Sequence, residues 1–273
     1  MGSANHRRSH ILASDRAVAE SSNIIARVSE KLLLNKTTRL ANSKAVAGSM
    51  ERYYSIPVKK TNIIYNAVEV PPYDRETARN EIRHQLGLPE NQKLILMVAR
   101  LWSIKNWPMF VRAGAQVCKQ RSDVTFIGTG FGPEQEKLDT LIHELSMQGR
   151  VRLLGLKNDI HRWYAAADIF CLTSHHEGFP NVVLEAMHAG LPVICSSFNA
   201  AYEIINTPDV GIIVPSDNHE ALAQQINMLL DDPQRRQSLG NNARTRAQQH
   251  FSWEVLVNYM ESLYAGLAEK HLS

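Results

Sequence analysis

Two rhythms of apolar residues alternate along the chain from Lys93 onward. LILMVA (94–99), VTFIG (124–128), VRLLG (151–155), DIFCLTS (168–174), PVICSS (192–197) and VGIIVP (210–215) are short, nearly continuous apolar runs. Between them, WPMFVRAGAQVCKQ (107–120), EQEKLDTLIHELSMQ (134–148), IHRWYAAA (160–167) and NVVLEAMHAG (181–190) carry helical spacing. YEIIN (202–206) reads as a helical turn, and HEALAQQINMLLDD (219–232) begins a helical tail. A strand that is apolar on both sides must be covered on both faces, and the intervening helices supply the cover. The pattern therefore predicts an α/β fold with a Rossmann-like, doubly wound parallel sheet.

Residues 1–92 are less regular. SEKLLL (29–34) reads as helix, TTRLANS (37–43) as strand, KAVAGSMERYYS (44–55) as helix and TNIIYNAVEV (61–70) as strand. The Pro-Pro pair at 71–72 and the polar stretch 73–92 read as a linker. Two strands are too few for an independent α/β domain, so this portion is expected to be an incomplete second α/β unit or an appendage. The expected organisation is 1–92 as a partial amino-terminal portion with its linker, 93–251 as the sheet domain, and 252–273 as a terminal helix.

Bulk properties narrow this picture little. The chain has 273 residues, 44% of them hydrophobic and 21% charged, as ordinary globular proteins do. A net charge of +3, with no clustered basic and aromatic residues, does not point to nucleic acid and fits an anionic small molecule. Cys118, Cys171 and Cys195 are widely spaced and form no CxxC, which predicts reduced, buried thiols in a cytosolic protein. No apolar run reaches the length of a membrane span, and residues 1–20 lack the apolar core of a signal peptide.

Ligands of open parallel sheets lie at the carboxyl ends of the strands, so the loops there hold the candidate chemistry. ARLWSIKN carries Arg100 and Lys105, two cations that could grip a diphosphate or simply be solvated loop charges. GTGFGP (128–133) places glycines where a backbone can approach a ligand, although Pro133 breaks the GxGxxG pattern. The same residues fit a tight turn with proline at the first helical position. SHHEGFPN (174–181) bends at Gly178 and Pro180, with Asn181 placed to cap the next helix and the N–H groups of Val182 and Val183 left to face an anion. Glu185 follows one turn later, on the face of Asn181, among Val183, Leu184, Ala186 and Met187. A carboxylate in that setting needs partners. Two adjacent ribose hydroxyls, a neighbouring loop or Arg100 would each serve. His175 and His176 have no partner at metal-ligand spacing, so no metal site is expected.

Together VARLWSIKN, FIGTGFGPEQEKL, VRLLGLKNDI, AADIFCLTSHHEGFPNVVLEAMHAGLPVICS and GIIVPSDNHEALAQQI, in this order, resemble the donor half of GT-B glycosyltransferases of family four. The resemblance implies a retaining, nucleotide-sugar-dependent hexosyltransferase of polysaccharide or lipopolysaccharide biosynthesis. A UDP- or GDP-sugar would be the donor and a glycan or lipid-linked molecule the acceptor. It implies that Arg100 and Lys105 hold the diphosphate, that Glu185 takes the ribose hydroxyls and that Glu177 sits near the transferred sugar. Phe179, Pro180, Asn181 and Val182 would line the phosphates with backbone donors, with Gly178 beside them in the donor site, Leu156, Lys157 and Asp159 would frame the base, and Gly130 would admit the donor closely. Neither a cofactor nor a metal is expected, and the location implied is the cytoplasm or the cytoplasmic face of the membrane.

A glycosidase using Glu177 and Glu185 is the competing reading of the two carboxylates, and the apolar helix around Glu185 argues against it. The family also has a complete amino half, opening on a glycine-rich loop that this sequence lacks. The chain is therefore expected to be a donor-binding half with the tail of an acceptor half. That would make it a fragment, a truncated reading frame or one subunit of a split enzyme, associating through the terminal helix or with a chain supplying the missing half. Two alternatives stay open at this point: a nucleotide-sugar-binding module without turnover of its own, and a GT-B-type epimerase.

Overall fold

The computed structural model describes residues 12–15, 38–55, 57–71 and 73–272. These residues form two compact units, one holding the chain up to Asn66 together with Glu254 onward, the other Ala67–Trp253.

In the smaller unit β1 (Leu12–Asp15), β2 (Thr38–Ala41) and β3 (Thr61–Ile63) form a parallel sheet in the order β1-β2-β3. Three strands are thus present where the pattern suggested two. The expected strand 61–70 is confined to its first three residues. Helix α1 (Lys44–Tyr54) is started by Ser43, whose hydroxyl accepts from the Val46 N–H at 3.0 Å. It buries Val46, Ala47 and Met50 with Ala41 of β2. The helix expected at 29–34 lies outside the described residues.

The larger unit opens with α2 (Arg75–Gln85), inside the stretch read as a linker. Asp74 caps it, accepting from Glu76 and Thr77 N–H groups. Gly87, at φ +65°, closes it: its N–H bonds the His84 carbonyl and Leu88 N–H bonds the Arg83 carbonyl, a Schellman end that needs a residue tolerant of positive φ. The boundary expected at residue 92 is accordingly not where this compact unit begins. Then follow β4 (Lys93–Val98), α3 (Trp107–Gln120), β5 (Val124–Thr129), α4 (Gln135–Glu144), β6 (Val151–Leu153), α5 (Ile160–Ala166), β7 (Ile169–Leu172) and α6 (Asn181–His188). The unit continues with β8 (Val193–Ser196), α7 (Ala201–Ile204), β9 (Ile212–Val214), α8 (His219–Asp231) and α9 (Pro233–His250). Helix α10 (Trp253–Leu272) falls almost wholly in the smaller unit.

The six strands β4–β9 are all parallel, in the order β6-β5-β4-β7-β8-β9. Central strands β5, β7 and β8 are buried along their whole length, as their apolar runs require. The chain builds outward from β4 in one direction and from β7 in the other. The polarity of the windings reverses between these two strands, and their carboxyl ends open a crevice there. This places the loops 99–106 and 173–180 side by side.

Candidate functional site

The two loops at the crevice are tied to each other. The His175 N–H donates to the Ile104 carbonyl at 2.8 Å, and the Thr173 hydroxyl reaches the carbonyls of Lys105 and Asn106 at 3.0 and 2.9 Å. Asn106 turns the first loop in the left-handed region (φ 47°) and donates to Asp217 at 2.8 Å. Within this frame Lys105 Nζ meets Glu177 Oε1 at 2.6 Å, and the buried Ser174 hydroxyl donates to the same oxygen at 2.6 Å. Sequence reading placed both residues at the site but did not pair them. The carboxylate helps hold the Cys195 thiol far above its usual range, after the larger effect of burial, so that thiol stays protonated.

The glycine loop after β5 presses on the turn after β4. A Cβ at Gly130, where φ is +150°, would sit 1.8 Å from the Ala99 carbonyl oxygen, and one at Gly132 would sit 2.4 Å from the Leu101 carbonyl oxygen. Close backbone packing, rather than ligand approach alone, fixes these glycines. Pro133 precedes α4 by two residues, so it is not the first helical residue.

Arg100, Gly130, Leu156, Lys157, Val182 and Glu185 line one cavity of about 250 Å³, together with Val98, Ala99, Thr129, Phe131 and Ile160. Arg100 lies over the Trp102 ring at 5.3 Å from its centroid, and Lys157 over Trp163 at 5.1 Å. Each cation is thereby steadied by an aromatic face without surrendering its hydrogen-bond donors. Glu185 answers the question of a carboxylate in an apolar helix. Its Oε2 accepts from the Tyr164 hydroxyl at 2.8 Å, and Oε1 takes no bond among the described residues. Burial first, and the Glu185 charge second, raise Tyr164 well above the ordinary phenol, so it remains a donor.

Several expectations need correction. Asn181 is the first helical residue of α6 and Pro180 holds the cap position, with no side-chain cap bond. The Val183 N–H is engaged by the Pro180 carbonyl at 3.2 Å, whereas Val182 is the residue of this helix start that lines the cavity. Pro180 has no N–H to offer a phosphate, and the Phe179 ring is buried edge-on against Phe251. Asp159 accepts from Trp163 and Arg162 instead of lining the cavity. Lys105 lies on the crevice loop but is not a cavity-lining residue.

Thr129 escaped the sequence reading. It is 2% exposed and lines the cavity, and its hydroxyl has no hydrogen-bond partner among the described residues. A threonine closing a strand gives no periodicity or charge signal. Among the described residues, no cluster of three His, Cys, Asp or Glu could hold a metal, and no helix is long and apolar enough to cross a membrane. The three cysteines are free and buried.

Residues 78–246 match the model of the family described as glycosyl transferases group 1. The chain is 31% identical over 210 residues to the N-acetylgalactosamine-N,N'-diacetylbacillosaminyl-diphospho-undecaprenol 4-alpha-N-acetylgalactosaminyltransferase of Campylobacter jejuni, covering 77% of this chain and 55% of that protein. It is 32% identical over 203 residues to the D-inositol 3-phosphate glycosyltransferase of Corynebacterium aurimucosum, covering 71% and 48%. Thus the chain spans about half the length of these relatives. Among solved structures, HepE of Anabaena in complex with UDP and glucose superposes with a TM-score of 0.82 at 26% identity, covering 96% of this chain and 72% of that one.

Proposed function

This chain belongs to the glycosyl transferases group 1 family, and from that premise we propose that it is the donor-binding part of a retaining glycosyltransferase that moves a sugar from a UDP- or GDP-sugar to a glycan or lipid-linked acceptor. One observation carries the reading. Arg100 and Glu185 line the same cavity at the switch point of the sheet, one offering unspent donors and the other an unspent acceptor oxygen. The carboxylate suits the two hydroxyls of a ribose, and the guanidinium suits the diphosphate. HepE, solved with UDP and glucose, supports this chemistry by its likeness.

The mechanism follows from charge. Cleaving the bond between the sugar and the diphosphate leaves negative charge on the leaving group and positive character on the anomeric carbon. Arg100 and the Val182 N–H at the start of α6 stabilise the departing diphosphate where its charge grows. Lys105 joins them only by loosening from Glu177. Glu177 then lies near the transferred sugar with Oε1 held by Ser174. With that oxygen still engaged by the Ser174 hydroxyl, Glu177 is a weakened nucleophile, which favours attack by the acceptor on the face that the diphosphate leaves. The protein acts without a metal in this scheme, and in the cytoplasm, where nucleotide sugars are available. The unit up to Asn66 belongs to the acceptor side.

Incubation with labelled UDP- and GDP-sugars and a lipid-linked or glycan acceptor tests the proposal. Transfer with retained anomeric configuration supports it. Inverted product, or isomerised donor in the absence of acceptor, contradicts it. Binding without turnover would assign the chain to a donor-binding module and remove the catalytic claim.

A further inference from the structure

The six-stranded sheet ends on β6 at one side and on β9 at the other, and the two edges are finished differently. β6 carries Arg152, whose guanidinium donates to the Leu86 carbonyl beyond α2 at 2.9 Å. A charged side chain tied across an edge discourages a further strand. β9 consists of Ile212, Ile213 and Val214 and pairs with β8 alone among the described residues. Its outer side therefore offers backbone N–H and C=O groups to an incoming strand. Beside it lies an open groove of about 470 Å³, with Tyr202, Ile205, Pro208, Ile213, Gln225 and Arg235 in its lining. Tyr202 is 59% exposed, whereas Ile205 is buried. Among the described residues, Arg235 is the only charged one that lines the groove. It stands in the first turn of α9, where a cation opposes the helix dipole. Next to it, Arg236 is spent on the carbonyls of Leu229 and Leu230. The Arg235 backbone N–H is held by the Asp232 carboxylate at 2.8 Å, but its guanidinium has no hydrogen bond or ion pair among the described residues.

We infer that this edge docks an extended, acidic segment of a partner protein, which adds a strand beside β9, seats an apolar side chain in the groove and meets Arg235 with a carboxylate. The inference is independent of the donor-site reading. Main-chain bonds to β9 give affinity to any extended segment, and the groove and the arginine supply the choice. Side chains of a strand alternate between its two faces, so a segment alternating apolar and acidic residues offers both kinds at once. Charge argues against a second copy of this chain. Pairing β9 with β9 around a two-fold axis would bring two Arg235 side chains to one edge, and among the described residues no Asp or Glu lines the groove to answer them.

The test is fluorescence anisotropy of labelled, end-blocked heptapeptides titrated with the full chain. One alternates glutamate with valine, one alternates lysine with valine, and one repeats the glutamate series with proline for its central valine. The glutamate peptide should bind about threefold to tenfold more tightly than the lysine peptide. The proline peptide lacks the central N–H and should bind about fivefold more weakly than its parent, or worse. Arg235→Glu should reverse the charge preference, with a melting temperature that stays or rises, because the exposed side chain it replaces opposes the helix dipole. Arg112→Glu, which reverses an exposed charge outside the groove, should leave the preference in place. Equal binding of the two charged peptides, a preference that survives Arg235→Glu, the same reversal in Arg112→Glu, or indifference to the proline overturns the inference. A dimer in sedimentation velocity that the glutamate peptide dissociates would give the edge to a second copy and overturn it as well.

Discussion

The two ends of the six-stranded sheet use the same ingredients differently. At the amino ends of the strands, Asp168 is 10% exposed and fully engaged. Arg79 meets Oδ1 at 3.0 Å, Arg83 approaches Oδ2 at 3.6 Å, and the Leu94 N–H donates to Oδ2 at 2.8 Å. Arg79 spends further donors on the carbonyls of Ala165, Ala166 and Ala167, closing the end of α5. Here the charges of this cluster are consumed in joining α2 to the sheet. At the carboxyl ends Arg100 rests on Trp102, and among the described residues Glu185 keeps one oxygen unbonded and the Thr129 hydroxyl has no partner. Saturated charge marks architecture, and spare bonding capacity at a crevice marks a ligand site.

The contrast gives ranked expectations. Asp168→Ala strands two buried or half-buried arginines and should lower unfolding free energy by about 3–5 kcal/mol in chemical denaturation, whereas Arg100→Ala should change it by less than about 0.5 kcal/mol. A comparable loss in both would erase the distinction between the two ends. Glu185→Ala should weaken nucleoside diphosphate binding by about 1.5–3 kcal/mol by calorimetry. Tyr164→Phe, which frees Glu185 from its orienting donor, should cost about 1 kcal/mol of stability or less, with a smaller loss of ligand affinity than Glu185→Ala.

The smallest effect concerns pH. Burial, with a further push from Arg244, depresses His188 below its usual value, outweighing the hydrogen bond with the Phe251 backbone that acts the other way. The folded state therefore binds fewer protons than the unfolded state near pH 6.5, and stability should fall as pH drops through that value toward the folded pKa. His188→Gln should flatten that decline in a series of melting temperatures, and an unchanged slope would assign the decline to other groups.

Much of this architecture was legible because parallel strands buried on both faces must be apolar throughout, and runs such as LILMVA and DIFCLTS announce themselves. Helix α2 was not, since RETARNEIRHQ buries little apolar surface and reads as a polar linker. Its signals were local ones, Asp74 before it and Gly87 after it. In the site, Arg100, Glu177 and Glu185 stood out as charges at strand ends or in an apolar helix. The Lys105–Glu177 and Tyr164–Glu185 contacts join residues 72 and 21 positions apart, a proximity no local spacing encodes. Asn181 looked like a cap because its residue type favours that role, yet Pro180 fixes the chain entry one position earlier.

The most direct test of the donor-site claim is a paired calorimetric titration of uridine and UDP, or guanosine and GDP, into wild type, Glu185→Ala and Arg100→Ala. The account predicts that losing Glu185 weakens nucleoside and diphosphate alike, while losing Arg100 weakens the diphosphate and spares the nucleoside. Equal losses for both ligands in the Arg100 variant, or an unchanged dissociation constant in the Glu185 variant, would contradict it.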